Sequence, residues 1–213
     1  PDARHVVYDP LSNSALLEAH EETHGVRALP QFHFDKAEVI VGFDADFLGT
    51  WISPVEYSAS YRAGRDLETK RVSYHVQFEP RMSVTGSKAD RRFAAAPGEM
   101  GLLLTHLAWR VSRKAGAPLV SGEPEPASVD AAFLDELANR LWQARERSLI
   151  VCGSNDRKQQ VLANYLNQLL GNYGATVDLE KPSLQAQGND RELETLLGEL
   201  RDGKVKALFV HNV

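Results

Sequence analysis

Apolar positions along the chain follow two rhythms that take turns. Val39-Ile40-Val41 and Leu149-Ile150-Val151-Cys152 are unbroken apolar runs, as in parallel strands buried on both faces. Leu103, Leu104, Leu107 and Val111 recur instead at helical spacing. Read this way, the pattern predicts a strand over 5–8 and a helix over 13–24, with Asn13 as N-cap and Gly25 as stop. A strand over 38–41 then enters Gly42-Phe43-Asp44, and a helix opens at Ser53-Pro54 with proline in its first turn. A strand over 72–78 closes on Glu79-Pro80, and Pro97-Gly98-Glu99 opens a helix running to about residue 113. Residues 116–128 are rich in Pro, Gly, Ser and Glu and read as a linker. Beyond it come a helix over 131–145, a strand over 148–152, a helix over 158–170 and a strand over 176–179. A polar loop over 181–189, a helix over 191–201 and a last strand over 206–210 complete the pattern.

Strands separated by helices of this length imply βαβ units, a parallel sheet and right-handed crossovers. The predicted fold class is α/β, with Rossmann-like parallel sheets flanked by helices in two lobes. Residues 1–120 form the first lobe, 121–128 the linker, and 129–213 a second, incomplete lobe. There is no internal repeat at a short period.

Composition narrows the function. The 213 residues are 43% hydrophobic and 25% charged, ordinary for a globular chain that buries about 70% of its unfolded surface. The net charge of −5 and the lack of a Lys/Arg run argue against nucleic acid as a partner. No apolar stretch approaches the roughly 20 residues of a membrane span, and no signal peptide is visible. Cys152 is the only cysteine, so the chain forms no internal disulfide and cannot alone supply the four thiolates of an iron–sulfur cluster. The chain starts directly before one strand-like run and stops directly after another, which gives the expectation of a piece cut from a longer polypeptide.

His20-Glu21-Glu22-Thr23-His24 matches H-E-x-x-H, where two imidazoles one turn apart hold zinc and the glutamate activates water. Zinc needs a third ligand, Glu22 puts a charge inside the motif, and Gly25 ends the helix at once. The plainer reading is a solvated helix face with two surface histidines. No strand is followed by G-x-G-x-x-G, and neither a P-loop nor G-x-S-x-G is present. Gly153-Ser154-Asn155-Asp156 is either an anion nest at a helix start or, more simply, a strand-to-helix turn capped by Asn155 or Asp156. In open α/β sheets ligands sit beyond the carboxyl ends of the strands. Here those ends carry Asp9, Asp44, Asp46 and Glu79, which repel a pyrophosphate but can accept hydrogen bonds from a ribose or a guanine. Cys152 ends an apolar strand and reads as a buried small hydrophobe. Trp51, Trp109 and Trp142 read as packing residues. His5, His33, His75, His106 and His211 are scattered and carry no assigned role.

Several segments, in order, resemble the molybdopterin oxidoreductase family. They are the run from Phe34 to Thr50, with Ala37-Glu38-Val39-Ile40-Val41-Gly42-Phe43-Asp44 at its centre; Arg81-Met82-Ser83-Val84-Thr85-Gly86-Ser87-Lys88-Ala89-Asp90 with Pro97-Gly98; Leu166-Asn167-Gln168-Leu169-Leu170-Gly171-Asn172-Tyr173-Gly174; and the run from Gly203 to Val210. Within that family the chain most resembles the molybdopterin-like iron–sulfur subunit of alternative complex III, a membrane-associated quinol-oxidising complex. Phe43-Asp44-Ala45-Asp46-Phe47-Leu48-Gly49-Thr50-Trp51, Ser53-Pro54-Val55-Glu56 and Met82-Ser83-Val84-Thr85-Gly86 carry that likeness. In that subunit the molybdopterin-like part holds no molybdenum cofactor, and the clusters sit elsewhere in the polypeptide.

The departures from cofactor-binding relatives point the same way. Asp44 stands where they have the Asn of G-x-N, and a carboxylate only accepts where an amide also donates. Glu99 and Met100 stand where they have Thr-Asp after Pro-Gly.

The resemblance implies a scaffold in a respiratory electron-transfer complex that is not catalytic alone and has no cofactor of its own. Molybdopterin guanine dinucleotide and iron–sulfur clusters belong to the wider family. Flanking domains of the same polypeptide and other subunits would be the partners, and the location would be periplasmic. One alternative is a lobe binding the guanosine end of the cofactor through Asp44, Glu79, Pro97, Gly98 and Glu99. The other is a zinc hydrolase using His20, Glu21 and His24.

Overall fold

The computed structural model describes residues 3–66, 68, 72–117, 122 and 124–211. In chain order the elements are α1 (Ser14–His24), β1 (Leu29–Phe32), β2 (Val39–Phe43), α2 (Pro54–Ala63), β3 (Tyr74–Glu79), α3 (Val84–Lys88) and β4 (Arg91–Ala94). A 3-10 turn (Pro97–Glu99) leads into α4 (Met100–Lys114), followed by α5 (Ala131–Gln143), β5 (Ser148–Cys152), α6 (Arg157–Leu169), β6 (Val177–Ser183) and α7 (Asp190–Arg201). Four strands form one parallel sheet in the order β4-β3-β2-β5, and β1 and β6 form a separate antiparallel ribbon.

The two central apolar runs become β2 and β5, each buried at every position, because helices cover both faces of the sheet. Alternate side chains serve opposite layers, as the pleat requires. Val39, Val41, Phe43, Val76, Phe78, Ile150 and Cys152 pack with α4, α5 and α6. Ile40, Leu149 and Val151 pack with α1, α2 and the β1–β6 ribbon. The fold is therefore α/β and Rossmann-like, as the alternation predicts.

The two predicted lobes are not separate sheets. β5, from beyond the linker, pairs in parallel with β2, from before it, over Val39↔Ser148 to Phe43↔Cys152. An apolar strand buried on both faces finds its hydrogen bonds only in a shared sheet, so the stretch over 121–128 connects two parts of one core. Of that stretch, residues 121 and 123 lie outside the described residues, as do 118–120 before it. Where it is described it is tied down: Nε2 of His106 on α4 lies 2.7 Å from the Glu125 carbonyl, and Ala127 packs against the core.

Two predicted strands do not form. Residues 5–8 have no ladder; the Val7 carbonyl instead accepts from Asn189 N–H. Residues 206–210 follow α7 as exposed irregular chain, with Phe209 96% exposed. Apolar residues alone do not make a strand without a partner edge.

The edge of β5 opposite β2 is closed by side chains. The Asn167 amide accepts from Ile150 N–H at 3.1 Å and donates to Ile150 C=O at 2.9 Å. Thr176 Oγ1 donates to Ser148 C=O at 2.5 Å, and Gln160 Nε2 to Cys152 C=O at 2.9 Å. Asn172 Nδ2 donates to Asn167 Oδ1 at 2.8 Å and holds that amide in place. Asn167 and Asn172 are the two asparagines of the helix-end segment noted in the sequence.

Candidate functional site

Two adjacent parallel strands send their connections to opposite faces. β2 leaves through α2, in the layer of α1 and the ribbon. β5 leaves through α6, in the layer of α4 and α5. The carboxyl ends of β2 and β5 are therefore the topological switch point, the place where ligands of open α/β sheets sit. Asp44 and Gly153 directly follow the two strands. A Cβ at Gly153 would overlap the Asp44 carbonyl, so glycine lets the two loops touch there, with Gly153 N–H donating to Phe43 C=O at 2.8 Å.

Asp44 has a left-handed backbone (φ 50°) and is exposed. Its carboxylate makes no hydrogen bond among the described residues. Partial burial, then the nearby Glu79 and Asp46 carboxylates, hold its carboxyl above the usual range, with Arg81 pulling the other way. The neighbouring carboxylates are already engaged. Asp46 Oδ1 accepts from Thr85 N–H at 3.0 Å and from Thr85 Oγ1 at 2.9 Å.

Glu79, at the end of β3, is 1% exposed. It accepts from Ser83 N–H at 3.1 Å, Ser83 Oγ at 2.5 Å and Arg92 Nε at 2.5 Å. Ser83 also caps α3, its Oγ accepting from Gly86 N–H at 2.9 Å. A Cβ at Gly86 would overlap the Glu79 carboxylate, so α3 approaches this acid only because the residue is glycine.

The turn Pro97–Glu99 caps the helix that follows it. Glu99 Oε2 accepts from Ala96 N–H at 3.0 Å. Gly98 is exposed, and a Cβ there would meet nothing within 4 Å. No hydrogen bond among the described residues joins this turn to Asp44 or Glu79. The structure thus brings Asp44, Asp46 and Glu79 to one edge and leaves Pro97, Gly98 and Glu99 outside their network.

Ser83, Thr85 and Gly86 enter the sequence reading only as part of the resemblance, and neither they nor Arg92 are given a site role there. The signal available was the cap signature Ser83-Val84-Thr85-Gly86 after Glu79-Pro80. At the turn Gly153-Ser154-Asn155-Asp156 the simpler expectation holds. Asp156 Oδ1 accepts from Lys158 and Gln159 N–H at 2.7 and 3.3 Å, capping α6, and Asn155 Oδ1 accepts from Ala15 N–H at 3.1 Å.

The H-E-x-x-H histidines are not two surface groups. His20 is 2% exposed; its Nδ1 donates to Leu16 C=O at 2.9 Å, and its Nε2 lies 3.2 Å from the Tyr173 hydroxyl. Burial pulls its pKa down to about 4, against the opposing bond to Leu16, so the ring is neutral. His24 Nδ1 meets Thr23 Oγ1 at 2.7 Å, and its ring lies 4.1 Å from Tyr173. Both nitrogens of His20 thus have protein partners. Among the described residues no three His, Cys, Asp or Glu side chains gather as a metal site. Cys152 is buried, and its thiol is pushed up to about 12 by that burial, so it stays protonated.

Neither a scan of protein-family models nor a search of curated proteins gives a match to this chain.

Proposed function

We propose that this chain is part of a molybdopterin-oxidoreductase-like subunit of a respiratory, quinol-oxidising electron-transfer complex, and that it serves there as a scaffold without its own redox centre. The ordered resemblance of residues 34–50, 81–98, 166–174 and 203–210 to that family supports the parentage. The observation that carries the scaffold role is the engagement of Glu79. A carboxylate that is 1% exposed and already accepts from Ser83 and Arg92 is closed off from a guanine. Glu99 turns Oε2 back onto its own helix, and nothing lies within 4 Å of a Cβ at Gly98. The residues at these positions do not fit the guanosine end of a molybdopterin dinucleotide. The single thiol, buried and protonated, does not fit an iron–sulfur cluster. In this reading the partners are flanking domains of the same polypeptide and other subunits of a membrane-associated complex on the periplasmic side.

A second reading draws on Asp44 alone, the exposed and unengaged acceptor at the switch point: a lobe that binds the guanosine end of the cofactor. Metal analysis followed by thermal unfolding with and without millimolar guanosine diphosphate separates the two. A ligand at about 100 times its Kd stabilises the native state by about 2.7 kcal/mol, or about 5–10 °C at roughly 2–4 °C per kcal/mol for a chain this size. The scaffold reading expects no shift and no metal. An upward shift that disappears in Asp44→Ala overturns it in favour of the second.

A further inference from the structure

An open cleft of about 420 Å³ lies where α2 meets α3. Leu48, Tyr61 and Val84 give it an apolar lining, and Arg62, Arg65 and Lys88 give it cations. The Tyr61 hydroxyl donates to Lys88 C=O at 3.1 Å and ties the two helices together. Arg65 is committed, with two hydrogen bonds to Asp90 at 2.8 Å each and one to Ser73 C=O at 2.7 Å. Arg62 and Lys88 are exposed and form no ion pair among the described residues. Exposed apolar residues also flank the cleft. Val55, Ser58 and Arg62 share one stripe of α2 at i, i+3 and i+7, and Val55 is 86% exposed. On the other side Val84 is 53% and Met82 69% exposed.

This combination is local. The chain as a whole carries a net charge of −5, yet here two uncommitted cations flank an apolar strip. The matching chemistry is an apolar side chain flanked by carboxylates. An open cleft with exposed Val55 to one side and Met82 to the other suits an extended segment, whereas small-molecule pockets bury about 70–90% of their ligand. An anionic membrane gains only about 1 kcal/mol per cation near its surface, and the net negative chain opposes that attraction.

We propose that the α2–α3 cleft docks a short acidic segment of a partner protein, with one apolar side chain over Leu48, Tyr61 and Val84 and its flanking carboxylates on Arg62 and Lys88. The inference stands on the cleft and does not need the scaffold reading.

The test is fluorescence anisotropy of the whole 213-residue chain with a labelled hexapeptide of leucine and glutamate, against its leucine–lysine counterpart. The acidic peptide binds and the basic one does not. The double variant R62E/K88E weakens the acidic peptide at least about tenfold, equivalent to 1.4 kcal/mol, and gains affinity for the basic one. Val84→Ser weakens the acidic peptide about threefold or more, as loss of a partly exposed apolar contact implies. Both variants change exposed residues and keep the melting temperature of the parent chain. Should either unfold, sodium chloride at about 0.5 M, which shortens the screening length to a few ångströms, supplies the same readout on the parent chain. Equal binding of both peptides, affinity unchanged by charge reversal or salt, or no binding at millimolar peptide overturns the proposal. So does Arg62- and Lys88-dependent capture by phosphatidylserine vesicles without peptide binding, which would make the surface a membrane contact.

Discussion

Gly86 and Glu79 form a pair whose coupling can be worked out before it is measured. A methyl group at Gly86 overlaps the Glu79 carboxylate, and that carboxylate cannot step aside freely because Ser83 N–H, Ser83 Oγ and Arg92 Nε all hold it. Gly86→Ala therefore displaces the acid and breaks one or two charged hydrogen bonds. At about 1.5–3 kcal/mol each, less what the partly exposed Arg92 recovers from water, the cost is about 2–4 kcal/mol. Gly86 does not have a left-handed backbone, so alanine meets no conformational penalty of its own. Glu79→Ala costs a similar amount, about 2–4 kcal/mol, because Arg92 at 22% side-chain exposure recovers some water where a fully buried partner would cost about 3–5 kcal/mol. With the carboxylate gone, the three atoms nearest a Cβ at 86 are gone with it, and alanine gains up to about 1 kcal/mol of helix propensity over glycine. The double variant should thus be no less stable than Glu79→Ala alone, a coupling of about 2–4 kcal/mol. Urea unfolding of the parent, two single variants and the double variant closes the cycle. Additivity within about 0.5 kcal/mol, the behaviour of independent sites, refutes the claim that α3 is fitted around this acid.

The packing gives three further expected outcomes. Asn167→Ala removes both side-chain bonds to Ile150 and leaves a buried N–H and C=O unmet, so urea unfolding should register a loss of about 2–6 kcal/mol at about 1–3 kcal/mol per group; a loss below about 1 kcal/mol would mean another group seals that edge. His20 and His75 both have folded pKa values lowered to about 4 from 6.5, so they are neutral in the native state while the unfolded chain takes up protons below pH 6.5. Stability is then undiminished above that pH, falls as pH drops towards 4, and levels off below, by up to about 3 kcal/mol per histidine at 1.36 kcal/mol per unit. Replacing His20 by Gln should remove roughly half of that slope between pH 6.5 and 4, and an unchanged slope would place the titration elsewhere. Cys152 should resist a thiol reagent in the folded protein and react once at full stoichiometry in denaturant; fast labelling of the native chain would contradict its burial.

Much of the fold could be read in the sequence because its core elements are locally consistent. β5 appears where it is predicted, and α1, α2, α4, α5, α6 and α7 depart from their predicted bounds only at the ends. What escaped was non-local. β1 is four residues with Pro30 among them, and its partner lies beyond residue 176. β4 opens with two arginines, whose charge hides a strand that only β3 specifies. α3 is too short for periodicity and stands on the Ser83 cap. The reverse error at 5–8 and 206–210 has the same cause, since apolar content implies a strand only where an edge is free to receive it. The carboxylates at the sheet edge were legible from the strand ends, and Asp44 and Glu79 do converge there. Their difference in availability was not, because it depends on donors brought in by α3 and β4.

The side-chain seal on β5 also sets how this protein would fail. Strand edges with free N–H and C=O groups template aggregation, and here the groups are hidden by amides and a hydroxyl carried on α6 and the turn after it. The sheet need not unfold to become sticky; α6 need only lift from it. Fibril nucleation should therefore keep pace with the local opening of one helix, measured by hydrogen exchange at Ile150, and outrun global denaturation.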